Sequence, residues 1–207
     1  MTRADFKLDF DPRIALRELR RDPVLAKLIR RCGPFLLEPE PCVSPFAALA
    51  ESITFQQLNG RAAASIFARL KGLYRGPLTP RRILDTGDEA LRGAGLSRAK
   101  IAALRDLSLK TQEGLVPGWG ELRRLEDETI LERLTQVRGV GRWTVEMLLI
   151  FRLGRGDVWP VDDFAVRKAF GLMLEDPCPS PKAMRERAEP WRPWRSVVAW
   201  YLWRRLD

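Results

Sequence analysis

LTQVRGVGRWT, residues 134–144, is the stretch of sequence that decides the fold. An apolar helical run, a Gly-Val-Gly turn and the start of a new helix follow one another in it. Two glycines one residue apart allow a tight turn and a close approach of the backbone to a ligand. The turn opens into a helix N-terminus, whose unpaired N–H groups and dipole attract an anion. The stretch therefore predicts two helices joined by an anion-binding turn, although a merely structural connection fits the glycines alone about as well.

The composition indicates what the anion is and which chemistries are excluded. The 207 residues include 36 Lys and Arg against 27 Asp and Glu, a net charge of +9, so we expect a nucleic-acid phosphate at the turn. The absence of His excludes histidine-based triads and His-ligated zinc sites. The three cysteines, Cys32, Cys42 and Cys178, match no zinc or iron–sulfur spacing. Catalysis would therefore rest on carboxylates, lysines, hydroxyls or thiols.

Helical periodicity runs through the sequence and strand signals are scarce, so we expect an all-α protein in two lobes. The terminal lobe would combine residues 1–40 with 128–207, and the central lobe would span residues 41–127. A helix is predicted over residues 97–113, with Leu96, Ile101, Leu104 and Leu107 on its apolar face. No apolar stretch reaches membrane-spanning length and residues 1–5 do not begin a signal peptide, so we expect a cytoplasmic protein without a membrane partner.

Two adjacent carboxylates, Asp162 and Asp163, follow the Gly-Val-Gly turn by about twenty residues. They stand at the start of another predicted helix. An aspartate in that place can cap the helix by accepting backbone N–H bonds. A carboxylate that closely follows a phosphate-binding turn can also serve catalysis. The residues alone leave both interpretations open.

Together these motifs resemble the helix-hairpin-helix/Gly-Pro-Asp superfamily of DNA glycosylases, and within it the alkylated-base branch, the 3-methyladenine DNA glycosylase II type. Similar segments lie at residues 41–58, 95–101 and 191–203, and the resemblance covers roughly residues 40–205. It implies a two-lobed helical helix-hairpin-helix fold with the active-site cleft between the lobes. We expect the chain to lack the N-terminal β-domain that bacterial members carry.

The resemblance implies a reaction, hydrolysis of the N-glycosidic bond of alkylated purines in double-stranded DNA during base excision repair. The family's catalytic carboxylate falls on Asp163, which would stabilise the positive charge that develops on the sugar. Bifunctional members carry a lysine where this chain has Trp143, so the resemblance implies a monofunctional enzyme that leaves an abasic site. Two alternatives stay open. One is a DNA-binding protein without activity, and the other is a bifunctional glycosylase/lyase that uses a lysine elsewhere, such as Lys168.

The resemblance also assigns binding roles. The pocket for the flipped, often cationic base falls on Trp143, Met147, Phe164 and Trp203. Met147 stands where the family often has a tyrosine, and Trp191 and Trp194 are assigned to packing. The side chain that fills the gap in the duplex falls on Gln57 or Leu58.

Phosphate binding is assigned to the hairpin, at Gly139, Gly141, Arg142 and Thr144. Relatives hold a monovalent cation beneath this turn, and its ligands would be the backbone carbonyls of Thr135, Val137 and Val140. The cation would be Na+ or K+. We expect no required cofactor, no zinc and no iron–sulfur cluster. The protein is expected to act as a monomer on damaged DNA, at the nucleoid if it is bacterial.

Overall fold

The computed structural model describes residues 6–176 and 178–206. Residues 1–5, Pro177 and Asp207, all within the predicted terminal lobe, lie outside this part. The regular structure in the described residues is helical throughout, so the prediction of an all-α protein is confirmed. The helices are α1 (Pro12–Leu19), α2 (Pro23–Cys32), α3 (Pro45–Phe55), α4 (Gly60–Gly72), α5 (Pro80–Asp85), α6 (Asp88–Gly93), α7 (Arg98–Gln112), α8 (Trp119–Leu122), α9 (Asp127–Leu134), α10 (Arg142–Leu148), α11 (Phe164–Leu174), α12 (Pro181–Ala188) and α13 (Arg195–Arg204).

Two short non-α turns complete the order. A π-helical turn, Leu149–Leu153, follows α10 directly, and a 3-10 turn, Glu189–Trp191, follows α12. Most helices begin at a polar N-cap whose side chain accepts a backbone N–H bond, which satisfies an amide that has no partner inside the helix. These caps are Asp11, Asp22, Ser44, Asn59, Thr79, Ser97, Asp163 and Ser180. Within residues 6–176 and 178–206, no helix is both long and apolar enough to span a membrane.

The chain divides into a terminal unit, Met1–Pro41 with Leu149–Asp207, and a central unit, Cys42–Leu148. In the central unit α7 packs against α3, α5 and α6. The predicted apolar face of α7 is buried, at Leu96, Ile101, Leu104 and Leu107. This helix therefore forms the centre of the unit, as its periodicity indicates.

In the terminal unit α13 packs against α2 and α11. The Asp22 carboxylate connects distant segments of this unit. It caps α2, and it also accepts hydrogen bonds from Arg187 at 2.5 Å and from the Trp191 indole at 3.0 Å. The Trp191 ring lies edge-on to Trp159, with 5.7 Å between the ring centroids. Trp191 is buried and serves packing, as its assignment from the sequence states.

The observed division differs from the predicted lobes. Residues 128–148, which we expected in the terminal lobe, belong to the central unit. The physical reason is a set of polar contacts between the hairpin and earlier helices. The Gln56 amide donates to the Gly139 carbonyl at 2.7 Å, and the Asp106 carboxylate accepts the Arg138 amide at 2.7 Å. Such contacts between distant parts of the chain leave no local signature in the sequence.

Candidate active site

Asp163 lies at the N-terminus of α11, after a tight turn in which its own amide donates to the Pro160 carbonyl. Its Oδ1 atom accepts the Val166 amide at 2.7 Å, which is the capping bond. The same atom accepts the indole N–H of Trp203 at 3.0 Å. The side chain is only 8% exposed, whereas its neighbour Asp162 is exposed. Asp163 therefore caps α11, as the sequence suggested, and the capping bond also fixes the orientation of its buried carboxylate.

Trp203 lies on α13, with its ring beside Phe151 at a centroid distance of 5.4 Å. Phe151 belongs to the π-helical turn, a local widening of the helix that is common at functional sites. Phe151 was not predicted as a site residue, because the sequence of a continuous apolar run does not distinguish an α-helix from a π-helix. Phe164, the first residue of α11, is 80% exposed. In the terminal unit, the structure therefore brings Trp203 directly to Asp163 and leaves Phe164 open to a ligand.

The two hairpin glycines differ in what they do. Gly139 has a φ of +79°, and a Cβ placed there would stand 3.3 Å from the Cβ of Ala103. Gly141 has no positive φ, and no atom would lie within 4 Å of its Cβ. The backbone therefore requires glycine only at residue 139. At residue 141, the missing side chain leaves open space directly before α10.

The side chains of Arg142 and Thr144 are not placed as the sequence suggested for phosphate binding. The Arg142 guanidinium pairs with Glu146 at 3.0 Å and with Glu128 at 3.2 Å. Burial alone would lower the pKa of Arg142, but these two carboxylates raise it. The Thr144 side chain is buried, at 4% exposure. Both side chains are thus committed to the interior or to ion pairs, so an anion at the hairpin would have to be bound by backbone N–H groups.

The other predicted residues of the central unit lie on α10 and on the turn after α3. Trp143 is 46% exposed and Met147 is half-buried, and their spacing of four residues puts them on one face of α10. Gln57 and Leu58 are exposed in the turn between α3 and α4. Gln57 has a φ of +57°, which is uncommon outside glycine. Together they form an exposed tip rather than part of a helix.

The backbone around residues 135–140 bears on the predicted cation ligands. Thr135 is the C-cap of α9, and the Val140 amide donates to the Val137 carbonyl at 3.0 Å. Each carbonyl oxygen has two lone pairs, so this bond leaves Val137 able to accept a second partner. The described residues contain no cluster of acidic or Cys side chains that would hold a metal. Neutral carbonyls are a donor set that fits a monovalent cation.

Comparisons with known proteins agree with this geometry. Residues 50–193 match the model of the HhH-GPD superfamily base excision DNA repair proteins. DNA-3-methyladenine glycosylase 1 of Schizosaccharomyces pombe is 40% identical over 163 residues, which are 77% of this chain and 72% of that protein. A structure of the S. pombe 3-methyladenine DNA glycosylase Mag1 in complex with abasic DNA is also similar. It superposes with a TM-score of 0.79 and 36% identity, over 92% of this chain and 95% of that one.

A bacterial structure is similar over nearly the full length. DNA-3-methyladenine glycosidase from Bacillus halodurans superposes with a TM-score of 0.83 and 32% identity, over 96% of this chain and 90% of that one. These matches confirm the resemblance that the hairpin and the acidic pair carry. The chain belongs to the HhH-GPD superfamily of base excision DNA repair proteins.

Proposed function

We propose that the chain is a monofunctional DNA glycosylase that hydrolyses the N-glycosidic bond of alkylated purines and leaves an abasic site. The observation that carries this proposal is the buried Asp163 carboxylate, whose Oδ1 atom is held by two N–H donors. The relatives named above are glycosylases of 3-methyladenine, and one of them is bound to abasic DNA. Such an enzyme would act on chromosomal DNA, which in a bacterium lies in the nucleoid.

The carboxylate has an electrostatic role in the reaction. As the base departs, positive charge develops on the deoxyribose. A fixed negative charge beside the sugar stabilises that charge without a cost of reorientation during the reaction, and this effect is largest where water is excluded. The bonds from Val166 and Trp203 keep the carboxylate in one position. The free energy of the transition state therefore falls relative to that of the bound substrate.

Recognition of the base would use exposed aromatic surface. The target base must leave the stacked duplex before its glycosidic bond can be reached. Trp143 is 46% exposed in the central unit, and Phe164 is 80% exposed in the terminal unit. Alkylated purines often carry positive charge, and an aromatic face attracts a cation by about 0.5–2 kcal/mol. These rings would favour charged bases over normal ones.

The monofunctional assignment rests on two positions. Trp143 stands where a lyase of this family presents an amine, and an indole nitrogen cannot form a Schiff base. Lys168 is exposed on α11, five residues after Asp163. That spacing turns it about 140° around the helix axis away from Asp163. Lys168 is therefore a poor partner for chemistry at that carboxylate.

We also propose that the carbonyls of Thr135, Val137 and Val140 hold a Na+ or K+ ion beneath the hairpin. The ion would add positive charge behind the N–H groups that face a phosphate. Those groups, at Gly139 and Gly141, would position the protein on any duplex without reading its sequence.

The test is to incubate the wild-type chain with a duplex that carries one methylated purine and to run the labelled strand on a denaturing gel. The proposal expects a full-length strand that breaks only after hot alkali. Strand cleavage before alkali would contradict the monofunctional assignment, and intact strand after alkali would contradict glycosylase activity on that base. Adding borohydride would trap a covalent adduct only if a lysine had attacked the sugar.

A further inference from the structure

The turn that carries Gln57 and Leu58 is joined to the Gly-Val-Gly hairpin by a side chain. α3 ends at Phe55, and the next residue, Gln56, donates its amide to the carbonyl of Gly139 at 2.7 Å. Both partners belong to the central unit, although 83 residues separate them in sequence. The acceptor is the hairpin residue with positive φ. The bond therefore connects the exposed turn to the backbone that would face a phosphate.

Lys100 fixes the backbone from which the Gln56 side chain extends. Its ammonium donates to the Thr54 carbonyl at 2.6 Å and to the Gln56 carbonyl at 2.9 Å. These oxygens lie at the C-terminal end of α3, where a helix has no further amides to satisfy them. A cation there also interacts favourably with the helix dipole. Burial lowers the pKa of Lys100, which fits a side chain turned inward rather than one directed at DNA.

The helix that supplies Lys100 also fastens the hairpin. In α7, the Asp106 carboxylate accepts the Arg138 amide at 2.7 Å, and Lys110 donates to the Gln136 carbonyl. Ala103 lies against Gly139. One helix therefore holds both the end of α3 and the hairpin, and Gln56 spans the two directly.

The exposed turn needs this support. Gln57 adopts a left-handed backbone conformation that residues other than glycine rarely adopt without constraint from their surroundings. Gln57 and Leu58 are both exposed, so neither is held by burial in a core. The constraint comes from the Leu58 amide, which donates to the Phe55 carbonyl at 3.3 Å, and from the residues on either side, Gln56 and the N-cap of α4, Asn59.

We propose that Gln56 and Lys100 are positioning residues that fix the Gln57–Leu58 turn to the hairpin. Binding of a phosphate by the hairpin is then coupled to insertion of the turn into the duplex. The inference rests on the proposed function, because it takes this turn as the segment that enters the DNA. The Gln57–Leu58 turn would then enter the duplex only while Gln56 connects it to the hairpin.

The variant that tests this is Gln56→Met, which keeps the length of the side chain and removes its donor. The matched control is Gln136→Met, because the Gln136 amide also donates to a backbone carbonyl, that of Glu132 at 3.0 Å. Affinity is measured for an undamaged duplex and for the same duplex with one abasic site. Insertion of the turn is monitored through the fluorescence of a 2-aminopurine base placed next to the abasic site.

We expect Gln56→Met to lose about threefold to tenfold of the preference for the abasic duplex, the value of one net hydrogen bond. Its fluorescence change should shrink in parallel, while affinity for undamaged duplex stays within about twofold, because the hairpin amides are untouched. Gln136→Met should match the wild type in all three measurements. Lys100→Met, a second variant that leaves Gln56 in place, should lose preference in the same way.

A double-mutant cycle separates positioning from general destabilisation. In a Leu58→Ala background the inserted side chain is already gone, so Gln56→Met should cause little further loss of preference. An undiminished loss in that background would overturn the inference, and so would wild-type preference in both Gln56→Met and Lys100→Met. A wild-type chain with no preference for the abasic duplex would overturn it too. A wild-type chain that prefers the abasic duplex yet releases no base would refute only the proposed function.

Discussion

A single oxygen atom of Asp163 serves both the fold and the proposed chemistry. Oδ1 accepts the amide that caps α11 and the indole N–H that fixes the carboxylate. The cap could be foreseen from the sequence, because aspartate at a helix start accepts backbone amides. The bond from Trp203, forty residues further along the chain, could not. Trp203 was expected at the base, and the structure adds that it positions the carboxylate.

This bond predicts the behaviour of Trp203→Phe, which keeps an aromatic ring and removes the indole N–H. We expect the single-turnover rate of base release to fall by about tenfold, because Oδ1 of the carboxylate loses the indole donor. Affinity for undamaged duplex should stay within about twofold. Trp194→Phe is the control, since the Trp194 ring packs beside Phe10 in the same unit. Equal rates in Trp203→Phe and the wild type would reduce Trp203 to a packing residue.

The glycines of the hairpin give a second prediction at this scale. Gly141→Ala should leave the free energy of unfolding nearly unchanged, because its Cβ would meet no atom within 4 Å. It should still weaken binding to unrelated duplexes alike, since the methyl group would occupy space where a phosphate approaches. Fluorescence anisotropy on two sequences measures this.

Gly139→Ala makes the complementary comparison. It should lower the free energy of unfolding by about 1 kcal/mol or more, because alanine is strained at positive φ and Ala103 is close. A Gly141→Ala variant that binds both duplexes like the wild type would remove residue 141 from the proposed phosphate site.

At the scale of single elements, α7 was the most predictable. Its predicted span of residues 97–113 agrees with Arg98–Gln112 flanked by caps at Ser97 and Glu113, because a strong cap and a regular apolar face are local signals. Residues 45–72 form two helices, α3 and α4. The polar run at Gln56–Asn59 separates them. The π-helical turn and the bonds from α7 to the hairpin were not predicted, since the first resembles an α-helix in sequence and the second depend on tertiary contact.

The attachment of α7 to the hairpin has a pH dependence. Burial by itself would raise the pKa of Asp106, but the bonds from the Arg138 amide and Lys110 hold it below its ordinary value of 3.8. The stabilising contribution of a carboxylate with a lowered pKa is complete above that ordinary value. It is lost as the pH falls through the lower pKa of the folded state.

Asp106→Ala should therefore lower the free energy of unfolding at pH 7 by about 1 kcal/mol, a modest value because the group is partly exposed. Urea denaturation at pH 7 and at pH 3 should show the difference from wild type narrowing in acid. Asp106→Asn, which still accepts the Arg138 amide, should lose less at pH 7. A difference between Asp106→Ala and the wild type that does not change with pH would contradict the role given to the carboxylate.

At the scale of the whole molecule, the charge of +9 and the helical periodicity were sufficient to predict the fold class and a polyanionic partner. Local motifs predicted the helix cap at Asp163 and the turn at the hairpin, because both depend on residues close in sequence, whereas the catalytic role of Asp163 was inferred from the family resemblance. They did not predict the pairing of Arg142 with Glu128, which is fourteen positions away. Site residues that depend on distant partners need the structure.

The charge also predicts how binding responds to salt. If the chain neutralises about four phosphates, the logarithm of its affinity for undamaged duplex should fall with a slope of about −3.6 against the logarithm of salt concentration. Titration between 50 and 200 mM salt would measure the slope, with Gly141→Ala expected to give a shallower one. A slope near zero would indicate that backbone phosphates do not contribute to binding.

The central claim is that Asp163 stabilises the charge on the sugar, and the single-turnover rate of base release by Asp163→Asn tests it most directly. Asparagine can keep the cap of α11 and accept the Trp203 indole, so stability and DNA affinity should be retained. Asp162→Asn, at the exposed neighbour, is the matched control and should release the base at the wild-type rate. We predict a fall of at least about 100-fold for Asp163→Asn on a duplex with one alkylated purine. A rate within a few-fold of the wild type would contradict the account.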